Sequence, residues 1–326
     1  MKTLAYSAAA IALFAAAPAL AQEDCGEVSI TEMNWASASI VTNVANFILT
    51  QGYGCDVSVV PSDTVPAITS LVENGEPDIV TELWTNSTGD AYARLVEEGR
   101  VQEIGTILDP GGIEGWWVPA YLVEEHPELA DVEGVLANPD LVGGRFHNCP
   151  EGWGCRISND NLTEAFGVAE AGIEIFNHGS GETLATSLAS AYEAEEPWFG
   201  YYWSPTALLG SYDMVSVDMG PYNEEEFRKA TQPDSENVGR SSFPASPVKT
   251  AVVADFAEAH PAIADFLSKM TYPTSTMSEI VAWMDENSAS AEEGAVYFLT
   301  NYQDVWGAWL DEGATQRLQS VLNQQG

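Results

Sequence analysis

A two-lobed α/β protein is predicted by three features of this 326-residue sequence. Strand and helix patterns alternate from Glu27, a second alternating series begins near Gly143, and Gly- and Pro-rich stretches separate and follow them. In the first series "EVSITEMNW" reads as a strand and "SIVTNVANFILTQGYG" as an amphipathic helix ended by Gly52 and Gly54. "DVSVVPS" is then a strand, "VPAITSLVENG" a helix and "DIVTELW" a strand, a βαβαβ order that implies right-handed crossovers and parallel pairing. The second series runs "GGRFHN", "NDNLTEAFG", "GIEIFN", "GETLATSLASAYEAEE" and "PWFGYYW". "LDPGGIEGWWVPAY" lies between the two series and "GPYNEEEFRKATQPDSENVGRSSFPASP" after the second, so both are read as crossings between lobes. After Val248 the chain becomes mainly helical and is expected to pack back on the first lobe.

The N-terminus carries Met-Lys, an apolar run from Ala8 to Ala17 and the small-residue box Ala19-Leu20-Ala21, which predicts a signal peptide over residues 1–21 cut before Gln22. The remainder divides by expectation into a first lobe at 22–115, a second at 116–222 and a return to the first at 223–326. No later stretch is apolar for the roughly 20 residues of a membrane span, so a soluble periplasmic protein is expected. Export permits disulfides. Cys25 with Cys55 and Cys149 with Cys155 are the expected pairs, because the first two each precede a strand and parallel neighbours would bring those strand starts together. No C-x-x-C occurs, and no metal site or cofactor is expected. "SNDN" at 158–161 and "NSTGD" at 86–90 offer oxygen atoms, but helix capping accounts for them. With 49 acidic residues against 11 basic ones, the net charge of −38 nearly excludes nucleic acid as a partner and suits a salty medium or a cationic ligand.

Ten tryptophans are present, and their positions matter more than their number. Trp35, Trp84 and Trp203 follow or end strands, and Trp153 lies in the loop after "GRFHN". Open α/β sheets place ligands at strand carboxyl ends, so two facing lobes would bring these four rings towards one cleft. Trp116 and Trp117 sit at a crossing, where strand alternation allows one of them to face the same cleft. Trp198, Trp283, Trp306 and Trp309 are assigned to core packing. Indole faces attract cations that cannot donate hydrogen bonds, each contact contributing about 0.5–2 kcal/mol, and a micromolar ligand requires roughly 8 kcal/mol in all. Glu82 and Glu114, two residues before Trp84 and Trp116, are candidates to oppose the ligand's positive charge. Arg156 is read as one half of a surface ion pair.

In "NWASASIVTNVANFIL", "DIVTELWTNSTGD", "GIEGWWVPAYLVEEHPEL", "PWFGYYWSPTALL" and "VADFAEAHPAIADFLSKM", taken in order, the chain resembles the substrate-binding proteins of ABC importers for glycine betaine, proline betaine, choline and trimethylamine N-oxide. The resemblance implies a two-lobed periplasmic binding protein fold of type II, each lobe a mixed β-sheet flanked by helices, with a hinge of two crossing segments. It also implies an aromatic box of Trp35, Trp84, Trp203 and one of Trp116 or Trp117, with Trp153 as a further wall. Some choline-binding relatives carry an acidic residue two positions after the first box tryptophan; Ser37 stands there in this chain. Cations to meet a betaine carboxylate are scarce, so trimethylamine N-oxide is favoured over betaine and choline. The implied partners are that small ligand and an inner-membrane permease, the protein acting as a monomer.

Two other classes compete: a secreted enzyme and a ligand-sensing module for a chemoreceptor. The sequence carries no G-x-S-x-G, H-E-x-x-H or G-x-x-x-x-G-K-[ST] pattern, and His126, His147, His178 and His260 are scattered. A sensing module would share every feature of a transport receptor.

Overall fold

The computed structural model describes residues 25–325, so the signal-peptide expectation lies outside the described residues. The first series forms β1 (Glu27–Met33), α1 (Ala36–Phe47), β2 (Asp56–Ser62), α2 (Thr64–Glu73) and β3 (Ile79–Trp84), followed by α3 (Gly89–Glu97). β1 pairs in parallel with β2 and with β3, as the crossover pattern requires. Helix α1 runs on into a wider turn over Ile48–Tyr53, and Gly54 stops it in the left-handed conformation (φ 74°) that favours glycine. The register sets Glu27 beside Asp56, and Cys25 is bonded to Cys55 just before the two strands, with Cα atoms 4.9 Å apart.

The next strand departs from expectation. The Gly- and Pro-rich segment, read as a crossing between lobes, does run from one sheet to the other, but as part of one continuous strand, β4 (Val101–Pro119). The second lobe adds β5 (Arg145–Asn148), β6 (Glu174–Asn177), β7 (Gly200–Ser204) and β8 (Met214–Ser216), and the return segment contributes β9 (Ser246–Val253) and β10 (Tyr272–Pro273). The strand order is β2-β1-β3-β9-β4-β7-β5-β6, with β8 and β10 pairing on β4. β4 is common to both halves: it pairs antiparallel with β9 as far as Gly112 and with β7 from Ile113 onward. The return crossing meets it at the same point, since Ser246 lies opposite Gly112. β9 was not expected, and it inserts antiparallel between β3 and β4, which makes the first sheet mixed.

Helices cover both sheets. The Pro261–Lys269, Thr274–Asn287 and Ala291–Asn301 helices belong to the return segment. Contacts tie that segment to the end of the first helix: Tyr53 and Phe266 stack at 5.7 Å, and the Arg317 guanidinium donates to the Gly52 carbonyl. In the second lobe Phe166, at the end of the Gly154–Phe166 helix, packs on Trp116, whose other ring neighbours are Phe146 and Phe199; Trp116, Phe146 and Phe199 are all fully buried. Among the described residues no helix is long and apolar enough to cross a membrane.

Candidate functional site

Trp35, Trp84, Trp153 and Trp203 line one cavity, which Thr64, Ser87, Glu114, Gly154, Cys155 and Tyr201 complete. Trp35 is the residue before α1, Trp84 ends β3, Trp153 precedes the Gly154–Phe166 helix and Trp203 lies next to the end of β7. Each lobe therefore contributes two indoles. Trp153 stands edge-on to Trp35 (5.3 Å between centroids, 71°) and to Trp203 (5.0 Å, 83°), an arrangement that the ring quadrupoles favour. The Cys149–Cys155 disulfide closes the short loop that carries Trp153. Gly112 makes room for the fourth ring, because a Cβ there would stand 2.1 Å from Trp84 Cη2. Trp35, Trp153 and Trp203 also border a wider groove whose charged side chains, Glu182 and Asp285, are both acidic.

Among the described residues, Glu114 is the only charged side chain lining the cavity. It sits one residue past the point where β4 leaves the first sheet, and its carboxylate is met from both lobes. Tyr201 Oη (2.8 Å) and Ser87 Oγ (3.3 Å) donate to Oε1, and Ser246 Oγ donates to Oε2 at 2.6 Å. Burial raises its pKa above the ordinary glutamate value, opposed by those three hydroxyls. Among the described residues, no lysine or arginine lines the cavity.

Glu82 stands elsewhere than expected. It does not line the cavity but lies fully buried beside it. Between Val80 and Leu83 the pairing with β9 slips by one residue, the signature of a bulge, and Glu82 takes φ 49° there. That extra residue lets Thr81 and Glu82 precede Leu83 without turning Trp84 away from the cleft. A glutamate in the left-handed region costs on the order of 1–2 kcal/mol, a strain that functional positions often carry. Its Oε1 accepts from Trp35 Nε1 at 2.6 Å, Ser37 Oγ at 2.7 Å and Trp84 Nε1 at 3.4 Å, while Oε2 makes no hydrogen bond. Burial pushes its pKa up from 4.5 to about 7, against the pull of the Ser37, Trp35 and Trp84 donors.

The folded state thus holds this proton more tightly than the unfolded chain does, so the group's contribution to stability is most favourable below the unfolded value of 4.5 and declines as pH rises towards about 7. Glu82→Gln removes that decline. Relative to wild type, the variant is expected to gain roughly 2–3 kcal/mol in unfolding free energy between pH 5 and pH 8, checked by urea denaturation at both values. A gap that stays constant with pH would contradict a buried, titrating Glu82.

The lobes are in contact around the cavity. Trp153 Nε1 donates to Asn34 Oδ1 at 2.6 Å, and Val65 N donates to the Gly152 carbonyl at 3.0 Å. Gly154 packs so closely on Ser87 that a Cβ would lie 1.9 Å from its carbonyl oxygen, which excludes any larger residue.

Besides Glu82, two further expected site residues, Trp116 and Trp117, are placed outside the cavity. Trp116 is fully buried in the second lobe between Phe146, Phe166 and Phe199, with its Nε1 donating to Asn159 Oδ1 at 2.8 Å. It shares a strand face with Glu114 but lies two residues deeper, beyond the reach of the cleft. Trp117, on the other face, is partly buried and donates to the Tyr202 carbonyl at 3.1 Å. "SNDN" falls inside the Gly154–Phe166 helix rather than at its start, and Thr88, which precedes α3, makes no side-chain cap. Arg156 pairs with Asp160 at 2.9 Å on the surface. His147 and His178, far apart in sequence, meet at 2.9 Å beneath Trp198, away from the cavity. Among the described residues no cluster of His, Cys, Asp or Glu is placed to hold a metal ion. Ser87, Tyr201 and Ser246 were missed; of these only Tyr201, two residues from Trp203 and so on its strand face, carried a signal in the sequence.

A family model described as the substrate-binding domain of ABC-type glycine betaine transport systems (OpuAC) matches residues 26–301. The chain is similar to the trimethylamine N-oxide-binding protein of Pelagibacter ubique, 23% identical over 289 residues, which cover 86% of this chain and 89% of that protein. Among solved structures it is similar to an ABC-transporter choline-binding protein in complex with choline, at 19% identity and a TM-score of 0.72, covering 91% of this chain and 98% of the other. It is also similar to the glycine betaine/L-proline-binding protein ProX from Borrelia burgdorferi, at 17% identity and a TM-score of 0.73, covering 90% and 99%. At these identities the structural likenesses show a shared two-lobed fold.

Proposed function

Because the chain belongs to the family of substrate-binding domains of ABC-type glycine betaine transport systems, we propose that it captures a small methylated onium compound, trimethylamine N-oxide, between Trp35, Trp84, Trp153 and Trp203. It then passes that ligand to a membrane permease, working outside the cytoplasm after loss of residues 1–21. The observation that carries this reading is a cavity of four indoles whose only charged side chain, among the described residues, is a buried glutamate. Methyl groups on a positive nitrogen bury apolar surface and meet the negative ring faces at once, at about 0.5–2 kcal/mol per ring.

Glu114 selects among such ligands. A betaine carboxylate would find no lysine or arginine among the described residues of the wall to balance its full negative charge. An N-oxide oxygen accepts a hydrogen bond, and Glu114, whose pKa burial raises, reaches the donating acid form more readily than an exposed glutamate. The similarity to the Pelagibacter ubique protein supports the same choice.

Calorimetric titration of the mature protein with trimethylamine N-oxide, choline and glycine betaine, and with an amino acid and a sugar as controls, tests this. Trimethylamine N-oxide is expected to bind most tightly. Glu114→Leu, which neither donates nor carries charge, is expected to weaken it at least tenfold, and Glu114→Gln, which still donates an N–H, less. Heat from a control compound alone would end the onium reading.

A further inference from the structure

We propose that Glu82 is a positioning residue for the aromatic wall: from behind the cavity, its carboxylate holds Trp35 and Trp84 by their N–H edges and thereby sets the angle between the two indoles of the first lobe. The proposal rests on the reading of that cavity as an onium box and extends it to a side chain that the ligand does not touch.

Three observations lead to it. First, one oxygen, Oε1, gathers both indole N–H groups and the Ser37 hydroxyl. Ring orientation about the Cβ–Cγ bond is soft, and a shared acceptor removes that freedom before the ligand arrives, so less ordering is left for the binding step. Secondly, the backbone adopts a left-handed bulge to bring this residue to the indoles, a local strain that a packing role alone would not require. Thirdly, Oε2 is buried and makes no hydrogen bond, so nothing on that side locks the group in one protonation state.

The ionised form is the better acceptor, because hydrogen bonds to a charged oxygen are shorter and stronger than those to a neutral acid. An anion drawing on an indole N–H also polarises the ring towards a more negative face, which strengthens its attraction for a cation. A positively charged nitrogen between the rings in turn favours the ionised form, so binding releases a proton and affinity rises with pH up to the apo pKa of about 7. The surroundings leave this titration to Glu82. From β10 the Tyr272 phenol faces it and is held well above its ordinary value by burial. On β9 the Lys249 ammonium bonds Thr106 Oγ1, and α1 offers Ser37 with no charged group. Two other carboxyls whose pKa burial raises adjoin the wall, Glu114 in the cavity and Asp63 against Trp153, and the test must separate both, which the Glu82→Gln and Ser37→Ala variants do because they alter Glu82 alone.

Titrating trimethylamine N-oxide calorimetrically into wild type and Glu82→Gln from pH 5.5 to 8.5 makes that separation. Wild-type affinity is expected to fall about tenfold from pH 8 to pH 5.5. Glu82→Gln, which keeps an acceptor but no charge, is expected to bind about tenfold more weakly than wild type at pH 8 and to lose most of the pH dependence. Ser37→Ala removes one donor to the ionised form and is expected to move the wild-type midpoint to higher pH, which tests the proposal even if the glutamine variant does not fold. Wild-type affinity that is flat with pH, a Glu82→Gln curve that follows wild type, or an unmoved Ser37→Ala midpoint overturns the proposal while leaving the onium box standing. Absence of binding by any trimethylated compound at every pH overturns the box, and this inference with it.

Discussion

Trp203→Ala is expected to weaken trimethylamine N-oxide binding at least tenfold in a chain that still folds. The ring lies at the end of β7, 8% exposed, with Trp153 edge-on at 5.0 Å and Tyr201 nearly parallel at 6.3 Å. Alanine removes one cation–π wall, about 1–2 kcal/mol when desolvated, and a tenfold change in affinity corresponds to about 1.4 kcal/mol. It also leaves Trp153 without its neighbour on one side, so the loss should exceed that of a single isolated contact. Calorimetry gives the affinity, and near-ultraviolet circular dichroism reports whether the remaining rings keep their packing. An unchanged dissociation constant would return Trp203 to a purely structural role.

Trp116→Ala is expected to act on stability instead, lowering the unfolding free energy by about 3–5 kcal/mol. The side chain is fully enclosed by Phe146, Phe166 and Phe199 at 5.0, 5.3 and 5.8 Å, and its loss leaves a cavity at the centre of the second lobe. The buried Asn159 Oδ1 loses its donor as well, a further penalty of about 1–3 kcal/mol if no water replaces it. Urea denaturation measures the change. A loss under about 1 kcal/mol would contradict a central position for this ring.

These two tryptophans mark where the sequence is legible. Trp203 follows an apolar strand and precedes a predicted helix, and the rule that α/β sheets bind ligands at strand carboxyl ends suffices to point it at a cleft. Trp116 and Trp117 are adjacent, so alternation separates their faces but does not say which face the Gly154–Phe166 helix covers. That depends on a layer folded from later sequence. The same limit hid β4 and β9. Pro110, Gly111 and Gly112 are ordinary loop signals, yet the chain stays extended there because it joins two sheets, paired on each side by strands from well over fifty residues away. The hydroxyls on Glu114 come from three separate elements, and no local pattern could gather Ser87, Tyr201 and Ser246. Glu82 was recognised as a carboxylate near Trp84, but placing it behind the ring depended on a bulge that periodicity does not reveal.

The equal division of the indoles between the lobes has a consequence for what a transporter can read. Trp35 and Trp84 belong to one half and Trp153 and Trp203 to the other, so parting the halves does not uncover a finished pocket; it dismantles it. A ligand held by all four rings is at the same time a bridge between two bodies. On the proposed function, the ligand's presence would thereby be converted into an outline, which a membrane partner docking on both halves could read without reaching the ligand.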